Sequence, residues 1–386
     1  MTFTEHATDQ PGAVHTNLGA IFVSLELSRS TWLITSLSPG GGEKMSKHQL
    51  RSGDVAGLLA RFSQLQAKAG ARTGRAFPIV VIHEAGLDGF WIHRTLQQEG
   101  IESHVVDPAS IATSRRRRRA KTDRIDGEAL IRALLAYKRG EPRVCAMVKA
   151  PTPEEEDRRQ ICRERKSLTA ERIEHVNRIK GLLFAQGVVD YEPVRRDRRQ
   201  TFEALRTGDG RPLPSCLKKR ISRELDRLEL VLEQTKAVEA ERDALLSAQT
   251  GALPAPPAIL RRLRGIGPEF AAVLWSEGLF RHFDNRRQLA SYAGLAPTPW
   301  QSGAVAREQG VSKAGNANLR TTMIQLSWLW LRHQPRSVLT LWFHERSNAG
   351  GRNRRVMIVA LARKLLVGLW KFVTTGVVPE GATLSA

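Results

Sequence analysis

Short apolar runs come first along this chain, and long patterns in which charge interleaves with leucine and valine come later. Residues 19–35, with Ile21-Phe-Val and Trp32-Leu-Ile, predict two strands around a short polar turn, and Glu43–Leu50 predicts a third. A helix fits Asp54–Ala69. Phe77–Glu84 reads as a short buried strand, Gly89–Glu99 as a helix, Ser103–Val106 as a strand and Asp123–Tyr137 as a further helix.

The order β-β-β-α-β-α-β-α matches a ribonuclease H-like layout, a mixed sheet with helices on its faces. In such a layout Glu26 ends the first strand, Glu84 ends the fourth, and Asp123 with Asp126 opens the last helix, so four acids distant in sequence converge. Asp123 and Asp126 lie three residues apart and point to one side of the helix start. Read alone, they serve equally well as a helix cap with a first-turn acid or as metal ligands. Five arginines, Arg115, Arg116, Arg117, Arg118 and Arg119, with Lys121 and Arg124 beside them, would hold a polyanion next to those carboxylates.

Downstream, residues 154–186 and 222–247 carry apolar positions at helical spacing, Leu225, Leu228, Val231, Leu232 and Val238 among them. Gly208, Gly210, Pro212 and Pro214 lie between, so an antiparallel helical hairpin, a coiled-coil oligomerisation arm, is expected. Leu253-Pro-Ala-Pro-Pro257 marks a boundary. The expected division is a tail over 1–17, an α/β domain over 18–150, a helical connector over 151–252, a mostly helical domain over 253–376 and a tail over 377–386. The last domain opens on Gly265-Ile-Gly267 between two helical stretches, a helix-hairpin-helix pattern whose backbone N–H groups can approach a phosphate. Trp328 and Trp330 in a later apolar run read as core packing.

Composition narrows the partner. Lys and Arg number 60 against 39 Asp and Glu in 386 residues, a formal net charge of +21 spread along much of the chain. A polyanion is the natural partner, since each neutralised phosphate releases condensed counterions. Cys145, Cys162 and Cys216 have neither disulfide-framework nor zinc-ligand spacing. A reducing cytoplasm fits. No stretch reaches the ~20 apolar residues of a membrane span, so a protein neither exported nor embedded is expected.

Taken together, Val-Ser-Leu-Glu26-Leu-Ser, His-Glu84-Ala-Gly, Lys121-Thr-Asp123-Arg-Ile-Asp126, Gly265-Ile-Gly-Pro268, Ala293-Gly-Leu-Ala-Pro297, Ser302-Gly303 and Lys313-Ala-Gly-Asn-Ala-Asn-Leu-Arg320 resemble the insertion-sequence-110 family of transposases, in that family's order over about residues 20–375. The resemblance implies a Holliday-junction-resolvase-like (RuvC-like) nuclease domain, a coiled-coil connector and a C-terminal transposase domain acting as a DNA recombinase of the bacterial cytoplasm and nucleoid. It implies Glu26, Glu84, Asp123 and Asp126 as ligands for Mg²⁺ or Mn²⁺, and Ser302 as a nucleophile forming a covalent serine–DNA intermediate, with Ser312 the alternative. Arg115–Arg119, Lys121, Arg124, Gly265, Gly267, Lys313 and Arg320 would contact nucleic acid. The partners implied are the element's DNA ends and target, an element-encoded structured guide RNA, and further copies of the chain as a dimer or tetramer. Glu26 departs from the pattern, since the family usually has Asp there. Two other functions use the same features: a structure-selective, metal-dependent endonuclease with no covalent step, and a non-catalytic basic nucleic-acid-binding protein.

Overall fold

Three antiparallel strands and two parallel additions build the first sheet. The computed structural model describes residues 18–385 apart from 43, 87–88, 112–122, 143, 248–255, 303–304, 313–314 and 349–353. The chain forms two compact units, residues up to 150 and residues from 151 onward.

In the first unit, β1 (Ile21–Leu27), β2 (Thr31–Leu37), β3 (Ser46–Arg51), β4 (Ile79–Glu84) and β5 (Glu102–Val106) form a mixed sheet of order β3-β2-β1-β4-β5. β1 runs antiparallel to β2 and parallel to β4, and β5 is parallel to β4. Side chains alternate between faces. Ile21, Val23, Leu25, Ile34 and Val81 meet Leu58, Phe62 and Leu65 of α1 (Val55–Thr73) and Ile92 and Leu96 of α2 (Trp91–Gln98). Phe22, Leu37, Val80 and Ile82 meet Leu130, Ile131 and Leu134 of α3 (Asp123–Lys138) on the opposite face. Burial on both faces explains why β1 and β4 are nearly continuous apolar runs, whereas the edge strand β3 reads Ser-Lys-His-Gln-Leu-Arg.

The second unit begins with α4 (Pro153–Phe184), whose start is fixed by a capping box between Thr152 and Glu155. α4 packs antiparallel against α6 (Ser215–Ser247): Leu168 meets Val231 and Val238 at one end of the seam, and Ile179 and Leu183 meet Ile221, Leu225 and Leu228 at the other. A short helix, α5 (Arg198–Glu203), lies in the connection and buries Phe202 in the same core. No helix was expected there.

α7 (Pro256–Arg261), α8 (Pro268–Leu274), α9 (Arg286–Tyr292), α10 (Ala317–His333), α11 (Val338–Asn348) and α12 (Arg354–Thr375) complete the unit, with a two-stranded ribbon of β6 (Pro297–Ser302) and β7 (Val305–Val311). Their core gathers Leu260, Leu274, Leu289, Leu326, Trp330, Leu365 and Phe372. The segment 377–385, expected as a tail, returns to this core. Arg264 donates its N–H to the carbonyl of Thr383 at 3.1 Å, and Gln334 bonds both Arg264 and Thr383. Trp330 is core as expected, but Trp328 is 40% exposed beneath the guanidinium of Arg354. Among the described residues, no helix is long and apolar enough to cross a membrane.

Candidate catalytic site

Strand parity decides where the N-terminal carboxylates go. Glu26 follows Phe22 and Ser24 on the α3 face of β1, and Glu84 follows Val80 and Ile82 on the same face of β4. The parallel register pairs Leu25 with His83, so Glu26 and Glu84 sit one residue further on, level at the same end of adjacent strands. Asp126 is in the first turn of α3, which packs on that face. Ser24 Oγ donates to the carbonyl of Gly127 at 2.8 Å and pins the helix start beside β1.

Gly127 makes this approach possible. A Cβ built there would lie 2.5 Å from Thr35 Oγ1 and 3.2 Å from Ser24 Oγ, so a larger residue would push the start of α3 away from the sheet. Lys47 of β3 forms an ion pair with Glu128 on the other side of the same turn. Beside Glu26 opens a cleft of about 690 Å³ lined by Ser28, Thr31, Leu33, Lys47 and Gln49. His83, facing the other way, is fully buried, and burial lowers its pKa to about 4, so it is neutral at pH 7.

Carboxylate oxygens suit Mg²⁺ or Mn²⁺. Among the described residues, however, no group of three His, Cys, Asp or Glu side chains is arranged to hold a metal ion. The side chain of Asp123, the fourth expected ligand, lies outside the described residues.

The expected nucleophile belongs to the second unit. Ser302 ends β6 and pairs with Val305 at the tip of the ribbon; its side chain lies outside the described set. Ser312 is at the other end, where its N–H donates to the carbonyl of Ala296 at 2.8 Å. Just beyond it, Asn316 N-caps α10 by accepting from the N–H of Leu319, and its own N–H donates to the carbonyl of Tyr292. Gly315 has φ +103°, and a Cβ on it would collide with the carbonyl oxygen of Tyr292. Only glycine fits.

Glu277 escaped the sequence reading. It lies in a π-helical turn, Trp275–Leu279, and is completely buried. Arg163 Nε donates to it at 3.0 Å and Asn316 Nδ2 at 2.7 Å. Burial opposes its ionisation, but the hydrogen bonds from Arg163 and Asn316 and the charge of Arg163 prevail and hold its pKa below the ordinary glutamate value. An acid in an otherwise uncharged stretch, Leu274-Trp-Ser-Glu-Gly-Leu279, is the available signal.

The expected nucleic-acid contacts divide. Arg115–Arg119, Lys121 and Lys313 lie outside the described residues, as does the side chain of Arg124. Gly265 and Gly267 occupy the turn between α7 and α8, where Gly265 packs against His333 and Gly267 immediately precedes Pro268 at the start of α8. Arg320 is half-buried in the first turn of α10.

The class is shown by family models: residues 42–185 match a DEDD transposase model, an RNase H-like domain in keeping with the mixed sheet, and residues 258–340 match the transposase family IS116/IS110/IS902. The protein y4rJ of Sinorhizobium fredii, which bears a transposase name, is 70% identical over 97% of each chain. The transposase for insertion sequence element IS1111A of Coxiella burnetii is 27% identical over 76% of this chain and 77% of its own. A 43.6 kDa protein of the insertion element IS110 from Streptomyces coelicolor is 32% identical over 41% of this chain and 39% of its own. The chain belongs to the IS110 family of transposases. It is a DNA transposase of an insertion sequence.

Proposed function

We propose that this transposase cuts and rejoins DNA through a covalent link between Ser302 and the scissile phosphate, assisted by a divalent cation held by Glu26, Glu84, Asp123 and Asp126. The observation that supports this reading most is the level placement of Glu26 and Glu84 on the face that receives the start of α3. A bound Mg²⁺ or Mn²⁺ would polarise the phosphoryl group and lower the cost of deprotonating the serine. Ser302 Oγ attacks phosphorus, the deoxyribose oxygen leaves, and the retained phosphodiester permits rejoining without ATP. Arg115–Arg119, Lys121, Arg124, Lys313 and Arg320 neutralise phosphates, and Gly265 and Gly267 offer backbone N–H groups to one. The α4–α6 pair is an arm for homo-oligomer assembly, and an element-encoded guide RNA directs the choice of DNA.

Incubation with the element's flanking DNA and transcribed noncoding RNA, with and without Mg²⁺, tests this on a denaturing gel. A covalent protein–DNA species is expected with the wild type and absent from Ser302→Ala and Asp126→Ala. Metal-dependent cleavage without an adduct would replace this mechanism with hydrolysis. An adduct persisting in Ser302→Ala would transfer the role to another residue, Ser312 first.

A further inference from the structure

Glu277 is a buried carboxylate that no step above uses. Its surroundings form a three-way junction within the second unit. From α4, Arg163 reaches the carboxylate, Arg159 Nε donates to the carbonyl of Ser276 at 3.1 Å, and the guanidinium of Arg158 stacks 4.2 Å from the ring centre of Trp275. From α10, Asn316 Nδ2 donates to Oε2 at 2.7 Å and Asn318 Nδ2 to Oε1 at 3.3 Å. Asn316 Nδ2 also lies 3.2 Å from the hydroxyl of Tyr292, at the end of α9. The π-helical turn between α8 and α9 is therefore held by both α4 and the start of α10.

Burying an ionised carboxylate is costly, and well-packed apolar groups in its place are often no less stable. What such a network can contribute instead is one fixed arrangement of its parts. Here the residue fixed is Asn316, which bonds to Glu277 and to Tyr292 ahead of β6, while Ser312 at the end of β7 bonds to Ala296. β6 and β7 form a sheet of only two strands, a structure that is marginal without packing against something else.

We propose that Glu277 is a positioning residue for the ribbon, holding its base through Asn316 so that Ser302 at the tip is presented in one direction. The catalytic half of this statement rests on Ser302 being the nucleophile; the anchoring half does not.

A reciprocal exchange in the full-length chain separates anchoring from general stability. Asn316→Asp keeps a good helix cap but replaces the donor to Glu277 with a like charge, while Glu277→Gln weakens the acceptor. In the double variant, the amide introduced at position 277 can donate to the carboxylate introduced at position 316 and restore the bond with its polarity reversed. Each single variant is expected to raise hydrogen exchange at the amides of Ser312 and Asn316 (or its replacement) by about 10-fold or more, with amides in α12 unchanged. Each should also slow DNA cleavage by a similar factor at saturating DNA without weakening DNA binding, since misplacement of a reacting group acts on rate more than on binding. The double variant should recover both. Wild-type protection at positions 312 and 316 in both single variants would overturn the proposal. So would an increase in exchange shared equally by α12, or a double variant no better than the singles. If the exchange results follow expectation but Ser302→Ala still forms the DNA adduct, the anchor stands and the assignment of Ser302 falls.

Discussion

The two units place the proposed catalytic groups in different ways. In the N-terminal unit, the carboxylates are placed by strand parity and register: Glu26 and Glu84 share a face because each continues an alternation begun by buried residues, and they are level because β1 and β4 are parallel. In the C-terminal unit, Ser302 is on a two-stranded ribbon whose root, among the described residues, is held by hydrogen bonds of Ser312 and Asn316 and by the buried carboxylate of Glu277. A sheet spreads the task over many equivalent bonds. A ribbon concentrates it at a few positions, so single substitutions there should have larger consequences.

The treatment of buried ionisable groups differs in the same way. His83 is kept neutral by burial, whereas Glu277 is kept ionised by Arg163 and Asn316. The two units should therefore respond to acid in separate ranges.

The largest expected effect is at the root of the ribbon. Gly315→Ala combines a positive φ with a backbone collision and should cost about 3–5 kcal/mol locally. Loss of hydrogen-exchange protection at Ser312 and Asn316, with the N-terminal sheet unaffected, would be the signature. Wild-type protection would mean that the ribbon is not rooted there.

Next comes pH. Between pH 6.5 and about 4 the unfolded chain protonates His83 and the folded unit does not, so the N-terminal unit loses stability as pH falls through that window. The loss should approach roughly 3 kcal/mol. Glu277 contributes stability above the ordinary glutamate pKa that is lost as pH falls through its lowered folded value, so the C-terminal unit weakens only at more acid pH. Exchange rates of β4 and α10 amides across a pH series measure both, and a simultaneous response would dissolve the contrast.

Gly127→Ala should cost about 1–2 kcal/mol, a clash with Thr35 partly offset by better helix propensity. Its effect on DNA cleavage should be greater than on the melting temperature, because the displaced turn carries Asp126. The smallest effect is expected from Lys47→Ala, which removes a partly buried ion pair to Glu128 and should cost about 1 kcal/mol or less in a denaturant melt. A loss of several kcal/mol would show the edge strand to be more important to the unit than the sheet order suggests.

Legibility followed the same division. Alternation and length located five strands and three helices of the first unit within a few residues, and the order of elements indicated which strand ends would carry acids. In the second unit the α4–α6 pattern was readable because its apolar seam repeats. The ribbon was not: Pro297-Thr-Pro-Trp-Gln-Ser302 contains two prolines and only Trp300 as a large apolar side chain, and it looks like a turn. Gly127 was invisible because its neighbours, Ser24 and Thr35, are about ninety or more positions away in sequence.

By itself the sequence determined the basic charge, the succession of elements, the acids at strand ends and the family motifs, because each is written in local pattern or composition. Tertiary structure alone decided that Glu277 would meet Arg163 and Asn316, that Gly127 would let α3 touch the sheet, and that residues 377–385 would return to the core. Such contacts join residues dozens to more than a hundred positions apart. No local periodicity encodes a distance between two elements that meet only after each has found its own place.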